Sequence, residues 1–169
     1  NSTREVIISP LTNYNVLVLD QNLKNNGFLT FTNTNVLRSG AFYDANVSGL
    51  KTKLNTKDNN YFLEGEGVVS NIIENAASEL GHSWGIEAGK QRGQFTFGAE
   101  YYEESDTYNP NDLGFLRANN SRVSEVYIGF RSFNPKMKKI NKFFSEFAIS
   151  NERLFAPNLY GGTFWEANA

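Results

Sequence analysis

Apolar and polar residues alternate one by one through most of the chain. Between Ser83 and Gln91, Trp84, Ile86 and Ala88 share one parity, while Ser83, Gly85, Glu87, Gly89 and Gln91 share the other. The next stretch sets Phe95, Phe97, Ala99 and Tyr101 against Gln94, Thr96, Gly98, Glu100 and Tyr102. Further on, Val126, Ile128 and Phe130 oppose Glu125, Tyr127, Gly129 and Arg131; then Phe143, Phe147 and Ile149 oppose Lys142, Glu146 and Ser150. Successive side chains of a strand point to opposite faces, so a period of two is the mark of a strand with chemically distinct faces.

Turn-forming clusters of Gly, Asn, Asp, Ser and Pro divide this pattern into nine expected strands. They are 14–23, 28–38, 44–55, 61–73, 83–91, 94–104, 122–133, 142–151 and 158–168, after a lead-in at 1–13. Residues 72–80 are a helical contender of one or two turns, more naturally part of a long connection at 74–82. Short and long connections broadly alternate, the longest being 105–121. Alternating loop lengths and strands of about ten residues are features of an outer-membrane barrel, whose apolar band is roughly 25 Å tall. The expected fold is an all-β antiparallel meander, which these features allow as part of a transmembrane outer-membrane β-barrel and which a soluble β-sandwich also fits.

On that reading the polar parity carries the candidate lumen residues Glu64, Glu66, Glu87, Glu100, Glu125, Arg131 and Glu146, with Glu166 a further member. A charge facing lipid in mid-strand costs a few kcal/mol, which directs these groups to a polar interior. They either line a conduit and bias what passes or simply solvate the interior. The candidate lipid-facing residues are Trp84, Ile86, Phe95, Phe97, Val126, Ile128, Phe130, Phe147 and Ile149. Two strands resist assignment: in 28–38 either parity suits lipid, and in 44–55 Lys51 and Lys53 share a parity with Ala45 and Val47. Alternation alone fits the wet face of a soluble β-sandwich equally well.

Composition narrows the classes. A formal net charge of −2 argues against nucleic acid as a partner. The one dense basic cluster, Lys136, Lys138 and Lys139 beside Pro135, reads as a solvated turn. With no cysteine, disulfides and thiolate chemistry are absent. The sequence begins at Asn1 with no basic or apolar leader, and its last residues read as a strand under way; an excerpt of a longer chain is expected.

No catalytic constellation emerges. His82 is the single histidine, read at a loop–strand junction, so neither a zinc site nor a histidine triad has support. Gly65-Glu66-Gly67 lacks the Lys-Ser/Thr of a phosphate loop. Glu64 and Glu66 share a face and suit acid–base work on a sugar, which keeps an envelope glycoside hydrolase as an alternative. The loop motif of Asp106, Tyr108, Asn109, Pro110, Asn111, Asp112, Gly114 and Phe115 is oxygen-rich, but Asx turns account for it without calcium. The expectation is no enzyme, no cofactor and no metal.

Four segments resemble those of a known family: LTNYNVLVLDQNLKN at 11–25, FTNTNVLR at 31–38, YDANVSG at 43–49 and DTYNPNDLGFL at 106–116. The family is that of Bacteroidetes-type outer-membrane proteins of unknown function, in which an N-terminal carbohydrate-binding domain of the family-nine type precedes a β-barrel. The resemblance runs from about residue 10 to the end and implies part of that barrel, in the bacterial outer membrane. Its partners would be lipid and other envelope proteins or carbohydrate, and its role transport or surface assembly. A soluble β-sandwich or small barrel binding carbohydrate or another ligand is the main alternative.

Overall fold

A computed structural model describes residues 9–132 and 142–169. Nine strands are present: β1 (Thr12–Asn22), β2 (Phe28–Arg38), β3 (Asp44–Asn55), β4 (Tyr61–Glu74), β5 (Ala77–Lys90), β6 (Phe95–Glu104), β7 (Ser121–Ser132), β8 (Phe143–Leu154) and β9 (Tyr160–Asn168). They form one open antiparallel sheet in sequence order, so β1 and β9 run in the same direction. Among the described residues the only helical element is a 3-10 turn, Lys24–Asn26. No helix there is long and apolar enough to cross a membrane, a statement that leaves strand-built spans untouched. The nine expected strands are all found, most within two residues of their expected ends. The Lys136, Lys138 and Lys139 cluster lies outside the described residues.

One expectation fails clearly. Residues 72–80 are neither a helical turn nor a long connection. β4 runs on to Glu74, Asn75 and Ala76 make a two-residue turn, and β5 starts at Ala77. Both turn residues have positive φ, 49° and 64°, the type I′ geometry that matches the twist of a hairpin. Nine residues cannot nucleate a helix alone, whereas Ile72 and Ile73 each gain a cross-strand partner on β5. His82 consequently sits inside β5 rather than at a junction. The short–long alternation of connections also fails. Among the described residues, 39–43, 75–76, 105–120 and 155–159 lie at one end of the sheet and 23–27, 56–60 and 91–94 at the other. What survives is one long loop, 105–120, at the first of these ends.

Register assigns every side chain to a face. Leu19, Phe31, Leu50 and Trp84 fall in one transverse row on one face. Phe97, Ile128 and Phe147 fall in another row of that face, which crosses β5 at Lys90, six residues beyond Trp84. The apolar band thus slides along the strands by about one residue per strand as it passes from β1–β3 to β6–β8. With roughly 3.3 Å per residue and 4.8 Å between strands, that slope is about 35°.

No second layer stands on this sheet among the described residues. Most of the small buried core lies toward one end, on the other face, where Val36, Ala45, Ser70 and Ser83 are buried along with Ser105 and Tyr108 of loop 105–120; Phe62 is buried toward the opposite end of that face.

Candidate functional site

Glu64, Glu87, Glu100 and Glu125 stand directly opposite one another on β4, β5, β6 and β7, forming one transverse row of carboxylates. Like charges placed opposite each other destabilise a sheet by a few tenths of a kcal/mol to about 1 kcal/mol per pair. Part of that cost is offset locally. Lys53, opposite Glu64 on β3, brings its Nζ to 2.9 Å from Glu64 Oε2. Lys51 reaches Glu64 at 3.1 Å and Glu66 at 3.5 Å. The two lysines whose face the sequence left open therefore belong to the acidic face, and only their register against β4 reveals it.

Glycines let aromatic rings lie flat across this face. A Cβ on Gly98 would strike the Tyr127 ring, which crosses that position to donate its hydroxyl to Glu87 Oε1 at 2.8 Å. Tyr102 lies over Gly85, and Phe62 over Gly89. A ring over a strand glycine covers backbone that would otherwise lack a packing neighbour.

The remaining acidic-face candidates are not gathered into the row. Glu146 lies on β8 opposite Gly129, toward the far end. Arg131 is engaged elsewhere: its Nε and Nη2 donate to the carbonyls of Gly93 and Gln91, pinning the β5–β6 turn. Glu64 and Glu66, paired in sequence as a possible acid and base, are both held by lysine. That arrangement suits a salt-bridged brace better than proton transfer.

Loop 105–120 folds over the acidic face above the row. Gly81 makes this possible, because any Cβ there would collide with the backbone of Tyr108. The Asn109 amide donates to Ser70 Oγ at 3.0 Å, and the Thr107 hydroxyl donates to the Leu80 carbonyl at 2.7 Å. Asp112 forms an ion pair with Arg38 of β2, both side chains largely buried. Within the loop, Asn109 Oδ1 accepts from the Asn111 amide, the expected Asx turn, and Asn111 Oδ1 accepts from the Leu116 amide. Phe115 projects outward, 88% exposed. Tyr108 is 8% exposed, and burial beside Glu104 and Glu66 pushes its phenol above the usual range.

The opposite face carries every candidate lipid-facing residue, as register requires. Trp84, Ile86, Phe95, Phe97, Val126, Ile128, Phe147 and Ile149 are all 40% exposed or more, and Phe130 is half-buried against Phe95 and Phe143. Leu29 and Phe31 join them, which settles the face of β2. Toward the loop-bearing end this face turns polar. Asn15, Asn35, Asn46 and Asn71 make a transverse row on β1–β4. On β5–β7, Glu103 accepts from Tyr101, Trp84 and Arg122 and meets His82 Nε2 at 3.3 Å.

Residues 1–169 match the model of one protein family, described as a domain of unknown function (DUF5916). The chain belongs to that family. Neither a curated protein nor a solved structure matches it. The DUF5916 description carries no chemistry, so the chemistry of this domain has to be argued from its two faces. A row of carboxylates beside a polar space favours cations over anions in whatever water it faces, through the potential summed over the row. In this DUF5916 chain, loop 105–120 stands over the same face of the sheet. Among the described residues no group of three or more His, Cys, Asp or Glu side chains is placed to hold a metal ion.

Proposed function

We propose that this sheet is a section of the wall of an outer-membrane β-barrel, with its apolar face to lipid and its acidic face to a polar interior. Its role on this reading is passage or surface assembly, with no catalytic step. The observation that carries the reading is the oblique course of the apolar band. A bilayer is a horizontal slab, so on tilted strands the residues that meet it must slide along each successive strand. The slope of about 35° falls within the tilt range of closed barrels.

Three features support it. The strands are 9 to 14 residues long, whereas soluble strands average five or six. Large side chains on one face stay half-exposed without a covering layer, and a sheet in water needs one. The mid-strand carboxylates of β4–β7 (Glu64, Glu87, Glu100 and Glu125) lie on the other face, where lipid does not charge them a few kcal/mol each. The resemblance of four segments to Bacteroidetes-type barrel proteins points the same way.

The interior on this reading is not uniform. Acids occupy β4–β7, whereas Val16, Val18, Val36, Val47 and Val68 with Thr30, Thr32 and Thr34 make the β1–β4 part of the same face weakly polar. A water-filled path would run along the acidic side, beneath loop 105–120.

The test is site-directed spin labelling of positions 124 to 130 in the full protein reconstituted in lipid vesicles. Labels at Val126, Ile128 and Phe130 should be reached by oxygen from the lipid, and labels at Glu125, Tyr127 and Gly129 by a water-soluble nickel chelate. A protein that stays soluble without detergent, with positions 126, 128 and 130 shielded from both reagents, overturns the proposal.

A further inference from the structure

We infer that Arg122 and Arg153 form a binding site for the phosphate of a phosphorylated glycolipid, in the membrane leaflet nearest loop 105–120. The inference rests on the barrel-wall reading and gives that wall a specific lipid partner.

The two arginines are direct cross-strand partners on β7 and β8, on the apolar face. Two cations so placed repel each other unless an anion lies between them. Their fixing contacts leave donors over. Arg122 is held through Nε, 2.6 Å from Glu103 Oε2, with its guanidinium 4.6 Å from the centre of the Phe155 ring. Glu103 is already occupied by Tyr101, Trp84 and His82, so it anchors Arg122 without enclosing it. Among the described residues, neither terminal amino group of Arg122 has a hydrogen-bond acceptor. Arg153 is held by Asn158, through Nε at 2.8 Å and Nη2 at 3.5 Å, and its Nη1 has no acceptor there. Two forked guanidinium groups pinned by their inner nitrogens are suited to a phosphate dianion.

Position argues for a lipid rather than a soluble anion. Four residues along each strand from the arginines stand Val126 and Ile149, which are cross-strand partners, with Trp165 opposite Ile149. About 13 Å of strand therefore separates the cations from the apolar band. That places them at headgroup level, with acyl chains continuing over Val126 and Ile149. Trp84 and Tyr101, their rings 4.9 Å apart, lie at the same margin, where aromatic side chains prefer to sit. The long loop marks this end as the outward one, since long loops of such barrels face outside. A phosphorylated glycolipid is the anionic amphiphile that fits an outward leaflet.

The experiment uses the full protein in a neutral detergent and measures lipid retention by native mass spectrometry. The probes are a bisphosphorylated disaccharide glycolipid, the same lipid with its phosphates removed, and inorganic phosphate. The wild type should retain the phosphorylated lipid at least tenfold better than the dephosphorylated one. The Arg122→Gln/Arg153→Gln double variant should lose that preference, and Lys90→Gln, at the opposite margin, should keep it. Equal retention of both lipids, full retention by the double variant, or competition by inorganic phosphate at matched concentration each overturns the inference. Spin labels on β7 that report lipid while the double variant retains glycolipid normally would sink this inference alone. Labels that report a soluble globule would sink the wall reading first.

Discussion

Glu87 and Glu100 face each other across β5 and β6 with no cation paired to either among the described residues, while their neighbour Glu64 has two lysines. The row is thus neutralised at one end and left charged at its centre. Unrelieved like charge is a stability cost kept in the folded state.

Removing one central charge should therefore stabilise the sheet. Glu100→Gln is expected to raise unfolding stability by about 0.5 kcal/mol, and Glu64→Gln to lower it by about 1 kcal/mol by stranding Lys51 and Lys53. Urea unfolding in detergent micelles, followed by tryptophan fluorescence, measures both. Equal signs for the two variants would contradict the charge pattern.

Loop docking depends on the missing side chain at Gly81. Gly81→Ala should push Tyr108 and its backbone off the acidic face and expose the loop. Limited proteolysis of Gly81→Ala should cleave between residues 106 and 117 several-fold faster than the wild type, with the strands intact. Gly98→Ala, by contrast, should leave the loop docked and cost about 1–2 kcal/mol, through the displaced Tyr127 ring and its lost bond to Glu87.

The β4–β5 turn is open to improvement. Ala76 holds a left-handed conformation at φ 64°, which costs a residue bearing Cβ about 1 kcal/mol. Ala76→Gly creates the Asn-Gly pair favoured in type I′ turns and should raise stability by up to about 1 kcal/mol. A lower midpoint in the same urea titration would mean that the hairpin does not close through this turn.

Alkaline pH should loosen the loop. Burial first, and then Glu104 and Glu66, hold the folded Tyr108 phenol above its ordinary value of 10.0. The neutral phenol's contribution is complete below that value and is lost as pH rises through the higher folded value. Proteolysis of the loop should accelerate above about pH 10 in the wild type and much less in Tyr108→Phe, which has no proton to lose.

How much of this was legible in the sequence differs from residue to residue. Trp84, Phe97, Ile128 and Phe147 declared a common face because alternation is a local property. Lys51 and Lys53 did not, since Ala45 and Val47 share their parity and only pairing with Glu64 and Glu66 separates them. The carboxylate row was visible as one acid per strand, but its alignment depends on register, and register depends on turns. The turn at Asn75–Ala76 was missed because alanine at positive φ leaves no composition signal. Gly81 reads in the sequence as one residue of the 74–82 connection; its role appears only when a loop 27 residues further on lies against it.

The shared direction of β1 and β9 bears on how such a wall can be completed. Any ring that includes these nine strands and keeps every neighbouring pair antiparallel must hold an even number of staves. The seam between β1 and β9 is then bridged by an odd number of others, because joining the two edges directly would lay one parallel pair into the cylinder.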